Sequence, residues 1–185
     1  MLRPPVRVCF VCSGNICRSP TAQVVLDRVA EQSGRDYLLA VDSAGTGSWH
    51  AGDDMDERSR RTMVHAGYDV PAHIAKQFQP ADFELRDVVV ALDTGHYNVL
   101  WWLAAETGDV TVARSKIVML RAFDPQLAAG QQPDVPDPYY GHGGDGFAEV
   151  LAQVERSCAG LLDAIERAVV TGAQRVEPPV QQPSA

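Results

Sequence analysis

Lysine is nearly missing from this sequence. Lys76 and Lys116 are the only two, so arginine carries almost all of the positive charge. The 185-residue chain has 16 lysines and arginines against 24 acidic residues, for a net charge of −8. A general basic face is therefore lacking, which argues against nucleic acid as a partner. An anionic ligand would have to be held by a local arrangement of groups. Long apolar stretches are missing as well: none approaches the roughly 20 residues of a membrane helix. The run Val6–Val11, apolar except at Arg7, is too short for a signal-peptide core. No membrane association is expected, and the expected location is cytoplasmic, where thiols stay reduced. Cysteine is scarce, with Cys9, Cys12, Cys17 and Cys158 the full set, and these are read as thiols. Cys9 and Cys12 have C-x-x-C spacing, but Phe10 and Val11 continue a strand between them and send the two side chains to opposite faces. No further cysteine or histidine pair has ligand spacing, so no metal is expected.

Apolar residues make up 45% of the chain and aromatics 7%, the composition of a globular protein with one sizeable core. Val6–Val11 reads as a buried strand, and from Ser19 a helix follows with Pro20 in its first turn. Its apolar stripe is Ala22, Val25, Leu26 and Val29, and Gly34 ends it. Leu38–Val41 reads as a second strand, then comes an exposed loop, SAGTGSWHAG. Asp53 is expected to open the next helix, with Gly67 stopping it. Residues 87–93 form a third strand. Asp93 or Thr94 caps a helix through Trp101 and Trp102, and Asp93 is assigned to capping rather than to a site. Ile117–Leu120 is a fourth strand, and Phe147 to Val169 spans a long amphipathic helix. The alternation implies an α/β fold: a single domain, with a four-stranded parallel twisted sheet and helices on both faces. Residues 1–170 form the domain, and the polar, Pro-rich stretch 171–185 is expected to be a disordered tail.

In doubly wound sheets the ligand lies beyond the carboxyl ends of the strands. The loop after the first strand reads Cys12-Ser13-Gly14-Asn15-Ile16-Cys17-Arg18, a C-x5-R spacing between a strand end and a helix start. Backbone N–H groups can converge there, and the helix dipole adds positive potential. Gly14 and Asn15 tolerate the positive φ that such a cradle needs. A tetrahedral oxyanion fits, with Arg18 gripping two of its oxygens. The same field favours the thiolate of Cys12, a nucleophile aimed at a bound phosphorus. Ser19 is placed to donate a hydrogen bond to that sulfur. The G-K-[ST] of a nucleotide P-loop is not present.

Phosphoryl transfer to a thiolate needs an acid for the departing oxygen. Asp137, fixed between Pro136 and Pro138 and followed by Tyr139 and Tyr140, is the candidate. The two tyrosines could wall a slot for an aromatic ring. With VCSGNICRSP and DPYYG both present in this order, the sequence resembles the bacterial type of low-molecular-weight protein tyrosine phosphatases, from about Val6 to Val169. SAGTGSWHAG, HIAKQF and FDP add to the likeness.

The resemblance implies Cys12 as nucleophile, Arg18 as phosphate binder and Asp137 as general acid, then base, with a phosphocysteine intermediate and no cofactor. It implies that Ser13, Gly14, Asn15, Ile16, Cys17, Ser19 and His73 form or brace the phosphate loop. Trp49, Tyr139 and Tyr140 would line the substrate cleft. The expected partners are phosphotyrosine-containing proteins, with inorganic phosphate as product inhibitor, and the expected state is a monomer. Cys17, five positions after the nucleophile, is expected to make the site redox-sensitive by trapping an oxidised Cys12 as a disulfide. Two alternatives remain open: a protein arginine phosphatase of the same fold, which typically has threonine where this chain has Ile16, and a non-catalytic phosphotyrosine-binding module.

Overall fold

The computed structural model describes residues 4–139 and 145–179. Its frame is a four-stranded parallel sheet in the order β2-β1-β3-β4. Strand β1, Val6–Cys12, pairs with β2, Leu39–Gly45, on one side and with β3, Val88–Ala91, on the other. Strand β4, Ile117–Met119, closes the sheet beside β3. The strands are joined by helices, as parallel pairing demands: α1 spans Arg18–Gln32, α2 Glu57–His65, α3 Asp82–Leu85, α4 Thr94–Leu103 and α5 Val110–Ser115, and α6, Asp145–Thr171, ends the fold.

Side-chain alternation along β1 divides the core into two layers. Val8, Phe10 and Cys12 face a cluster built with α1 and α6, through Val25, Leu26, Val154, Leu161 and Ile165. Cys9 and Val11 face the other cluster, with Phe78, Phe83, Leu100 and Ile117. Strand β3 divides in the same way, Val88 and Val90 to the first layer, Val89 and Ala91 to the second. Arg7, the polar break in β1, turns out to the surface and pairs with Asp87 at 2.8 Å. Helix α6 comes so close to the turn at 120–123 that a Cβ on Gly160 would sit 2.1 Å from the Phe123 carbonyl oxygen.

The third strand is shorter than the 87–93 read from the sequence, and two boundaries differ more widely. Strand β2 runs beyond Val41 to Gly45, because its polar half still pairs with β1, Asp42 opposite Cys9 through Gly45 opposite Cys12. The apolar pattern stopped early since Asp42 and Ser43 have polar partners, Arg86 and Lys76 for the first and Asn15 and Gln23 for the second. Helix α2 starts at Glu57, not after Asp53: the capping oxygen belongs to Asp56, which accepts from the Arg58 N–H. Past α6, Val176 packs against the first core layer; residues 180–185 lie outside the described residues. No helix among the described residues is long and apolar enough to cross a membrane.

Candidate active site

The order β2-β1-β3 makes β1 the point where the chain turns to opposite sides of the sheet, and the loop after it opens into the crevice. Five carbonyls of residues 12–17 point outward into the scaffold. Those of Cys12 and Ser13 accept from Thr46 and Gly47, that of Ile16 from Asp56 and that of Cys17 from Thr21. The Asn15 carbonyl accepts from His73 Nε2 at 2.7 Å. Among the described residues no acceptor takes the N–H groups of Gly14, Asn15, Ile16 or Cys17. A loop with five of its six carbonyls occupied on the outside and its amides unpartnered is a concave donor surface.

Asn15 holds that shape. Its φ is +59°, the one positive value at a non-glycine residue among those described. Its side chain is fully buried; Nδ2 donates to Ser19 Oγ and to Ser43 Oγ at 2.9 Å each, and Oδ1 accepts from the Lys76 N–H at 3.0 Å. The left-handed residue is thus tied to β2, α1 and the 73–76 segment together. Gly45 allows the close approach beneath it, since a Cβ there would meet the Ser13 carbonyl oxygen at 2.6 Å. Burial holds the His73 imidazole below its ordinary pKa, so the ring is neutral and its Nε2–H donates to Asn15.

Cys12 ends β1 on the floor of the cleft, 3% exposed, with Sγ 3.0 Å from Ser19 Oγ. Cys17 is buried at the start of α1, and burial, followed by the nearby Asp56 charge, pushes its thiol up to about 12. Arg18, 3% exposed, is held from two sides. One Nη donates to Asp93 Oδ2 at 2.7 Å and to the Val135 carbonyl at 3.1 Å, and the other donates to Asp137 Oδ2 at 2.9 Å. Asp137 Oδ1 accepts from the Tyr139 N–H at 3.0 Å. Two segments nearly 120 positions apart in sequence therefore meet across the arginine.

Cys12, Ser13, Gly14, Ile16, Cys17, Arg18, Trp49, His50, Asp137 and Tyr139 line one cleft. The Trp49 ring stands over Gly47, where a Cβ would overlap it at 1.5 Å. Tyr139, 42% exposed, also stands at the rim, and the Arg58 guanidinium lies 5.0 Å from its ring centre. Tyr140 lies outside the described residues.

Several residues of this site went unread in the sequence. Asp93 does cap α4, through the His96 N–H at 2.8 Å, but its second oxygen contacts Arg18, so the assignment to capping alone is corrected. Burial would raise its carboxyl; contacts with His96 and the Arg18 charge outweigh that and hold it well below the usual carboxylate range. His96, 4% exposed, puts Nε2 2.8 Å from Ser13 Oγ and Nδ1 3.0 Å from Asp93 Oδ1. The Asp-x-x-His spacing at a helix start was the available signal: a cap places the third residue beside the capping carboxylate. Ser43 and His50 carried no comparable signal.

This geometry is that of a protein class. The sequence profile of the low molecular weight phosphotyrosine protein phosphatases matches residues 7–171. A low molecular weight protein-tyrosine-phosphatase of Streptomyces coelicolor is 47% identical over 163 residues, covering 88% of this chain and 95% of its own. Low molecular weight protein-tyrosine phosphatase A of Mycobacterium tuberculosis is 38% identical over 162 residues, 88% of this chain and 93% of its own. Among solved structures, the crystal structure of a protein tyrosine phosphatase from Entamoeba histolytica with Hepes in the active site superposes with a TM-score of 0.79 at 32% identity, covering 89% and 99% of the two chains. The chain belongs to the low molecular weight phosphotyrosine protein phosphatase family.

Proposed function

We propose that this protein hydrolyses phosphotyrosine in proteins through a phosphocysteine intermediate. The observation that carries this reading is Cys12 Sγ at the floor of a loop with unpartnered amides, with Arg18 and Asp137 converging on the same cleft. A bound phosphate dianion takes the loop amides and competes with Asp137 for the Arg18 guanidinium, which can present two donors to it. Cys12 Sγ then attacks phosphorus as the aryl P–O bond breaks, and protonated Asp137 gives its proton to the departing phenol oxygen. In the second step Asp137 takes a proton from water, the water oxygen bonds to phosphorus, and the S–P bond breaks to return the thiolate. Ser19 Oγ, 3.0 Å from the sulfur, stabilises that thiolate by donating to it. Charge on the equatorial oxygens is held by fixed donors throughout, where most of the rate gain in phosphoryl transfer arises.

Depth favours an aromatic ester. The sulfur is nearly inaccessible from solvent, while Trp49 and Tyr139, 67% and 42% exposed, stand at the rim. A phenyl ring carries its phosphate further from the peptide backbone than a serine side chain does, and presents a face to the aromatic rings at the rim. Inorganic phosphate, which fits the same loop, is a competitive inhibitor. The test is hydrolysis of peptides carrying phosphotyrosine, phosphoserine or phosphoarginine at one position. Phosphotyrosine turnover that is lost in Cys12→Ser supports the proposal. Preferred turnover of phosphoarginine would reassign the substrate, and tight phosphopeptide binding without phosphate release would make the protein a binding module.

A further inference from the structure

The site as described has an unbalanced charge. Among the described residues lining the cleft, Arg18 is the one arginine or lysine, and it already faces two carboxylates, Asp93 and Asp137. A phosphate dianion brings two more negative charges into a partly buried space, where an uncompensated charge is costly. Two titratable bases within reach have no part in the proposed reaction: His50, whose Nδ1 pairs with the exposed Asp53 at 2.9 Å, and His96, on α4, which is buried beside the loop.

The environment of His96 is unusual for a buried histidine. On one side Nε2 lies 2.8 Å from Ser13 Oγ; on the other Nδ1 lies 3.0 Å from Asp93 Oδ1, buried and without an aligned hydrogen-bond partner among the described residues. Beyond Asp93 stands Arg18, with Asp137 on its far side. Asp134 faces the same helix start, accepting from the Thr94 N–H and hydroxyl at 2.8 and 2.7 Å. Cys12 precedes Ser13 on the loop.

No neutral tautomer both offers a proton to Asp93 and leaves the Ser13 hydroxyl proton free for the cleft. With the proton on Nδ1, toward Asp93, Nε2 can only accept, so the single Ser13 O–H proton points at the ring and away from the cleft. With the proton on Nε2, the Ser13 proton is free, but the bare Nδ1 lone pair faces a carboxylate. Once an anion in the cleft draws on the Ser13 proton, the imidazolium meets both demands: Nδ1–H faces Asp93, Nε2–H donates to Ser13 Oγ, and the hydroxyl proton turns toward the cleft that Ser13 lines.

We propose that His96 takes up a proton from solvent when a tetrahedral dianion enters the cradle, and so turns the Ser13 hydroxyl into a ligand for that anion. The proposal rests on reading the loop as a phosphate site. It makes Ser13 a binding residue and His96 a positioning residue that acts through it. The added positive charge offsets one of the two charges brought by the ligand. Affinity for the dianion therefore falls as pH rises, approaching about tenfold per pH unit where uptake nears one proton.

Sulfate is a suitable probe, because it is a tetrahedral dianion that does not itself titrate in the working range. Its binding is measured by calorimetry between pH 6 and 8 in Cys12→Ser/Asp137→Asn protein, which removes the sulfur and the acid as proton acceptors. In this protein we expect affinity to weaken with rising pH, with proton uptake visible as a dependence of the heat on buffer ionisation. Adding His96→Gln keeps an amide donor for Ser13 but cannot titrate; binding persists and its pH slope flattens. Adding Ser13→Ala weakens binding severalfold at the acid end and removes most of the slope. Independently of folding in either variant, the His96 ring nitrogens should move toward imidazolium shifts in NMR spectra when sulfate is added at constant pH. A slope unchanged by His96→Gln, or a His96 ring unaffected by sulfate, overturns the proposal even if the parent enzyme hydrolyses phosphotyrosine. Loss of phosphotyrosine hydrolysis as an activity with the sulfate linkage intact overturns the substrate assignment alone.

Discussion

Asn15 shows how much of this site depends on one side chain. A left-handed asparagine is tolerated because its short amide can bond locally; here that amide bonds to three segments at once. Its carbonyl depends in turn on a neutral His73. The folded state holds the His73 pKa below its ordinary value, so the unfolded chain binds the proton more readily. Stability contributed by this ring is present at neutral pH and declines as pH falls through about 6.5. Thermal melts from pH 8 to 5 should show a loss in wild type that His73→Gln, with a permanent amide donor, flattens. An identical acid-side decline in both proteins would show that the ring is not the source.

Cys17 permits a second test at the same scale. Its thiol is pushed up to about 12 by burial first, so it stays protonated and does not compete with Cys12 for electrophiles. Low peroxide should oxidise Cys12 to a sulfenic acid, which Cys17 captures as a disulfide with release of water. Activity should return with dithiol in wild type and be largely lost in Cys17→Ser. Mass spectrometry that finds Cys12 only as sulfinic acid, with no link to Cys17, would refute this.

At the scale of elements, the strands and helices that carry the core were legible from apolar period alone, while the ends that carry the site were not. The polar half of β2, Asp42 to Gly45, reads as loop because its side chains answer to Arg86, Lys76, Asn15 and Gln23 rather than to an apolar layer. The Cys12-to-Arg18 loop was legible for a different reason: a nucleophile, a residue suited to positive φ and a bidentate cation lie within seven positions of sequence. The contact of His96 with Ser13 was not, since the two lie 83 positions apart and only the fold joins them. Packing of α6 supplies the prediction here. Gly160→Ala places a methyl group against the Phe123 carbonyl, which is backbone and cannot swing aside; a loss of about 1–3 kcal/mol is expected in urea unfolding. Unchanged stability would mean that the helix and the 120–123 turn separate freely.

Over the whole molecule, the net charge of −8 coexists with an anion site, because attraction is confined to one loop, one helix start and one arginine. The fold class was open to reading since parallel strands leave a coarse, repeated signal, whereas the meeting of Asp93, Val135 and Asp137 on Arg18 is a product of tertiary closure.

That closure has a bearing on how the protein comes into being on the ribosome. Cys12, Arg18 and the phosphate loop emerge early, but the segment that completes the arginine's coordination follows more than a hundred residues later, and α6, which covers the first core layer, comes last of all. During synthesis the nascent chain therefore carries Cys12 and Arg18 without Asp137 and without a closed core. Under the proposed mechanism, a product released before residue 137 lacks both the acid for the leaving phenol and the Asp137 contact on Arg18, so truncated chains ending there are expected to be inactive toward aryl phosphates.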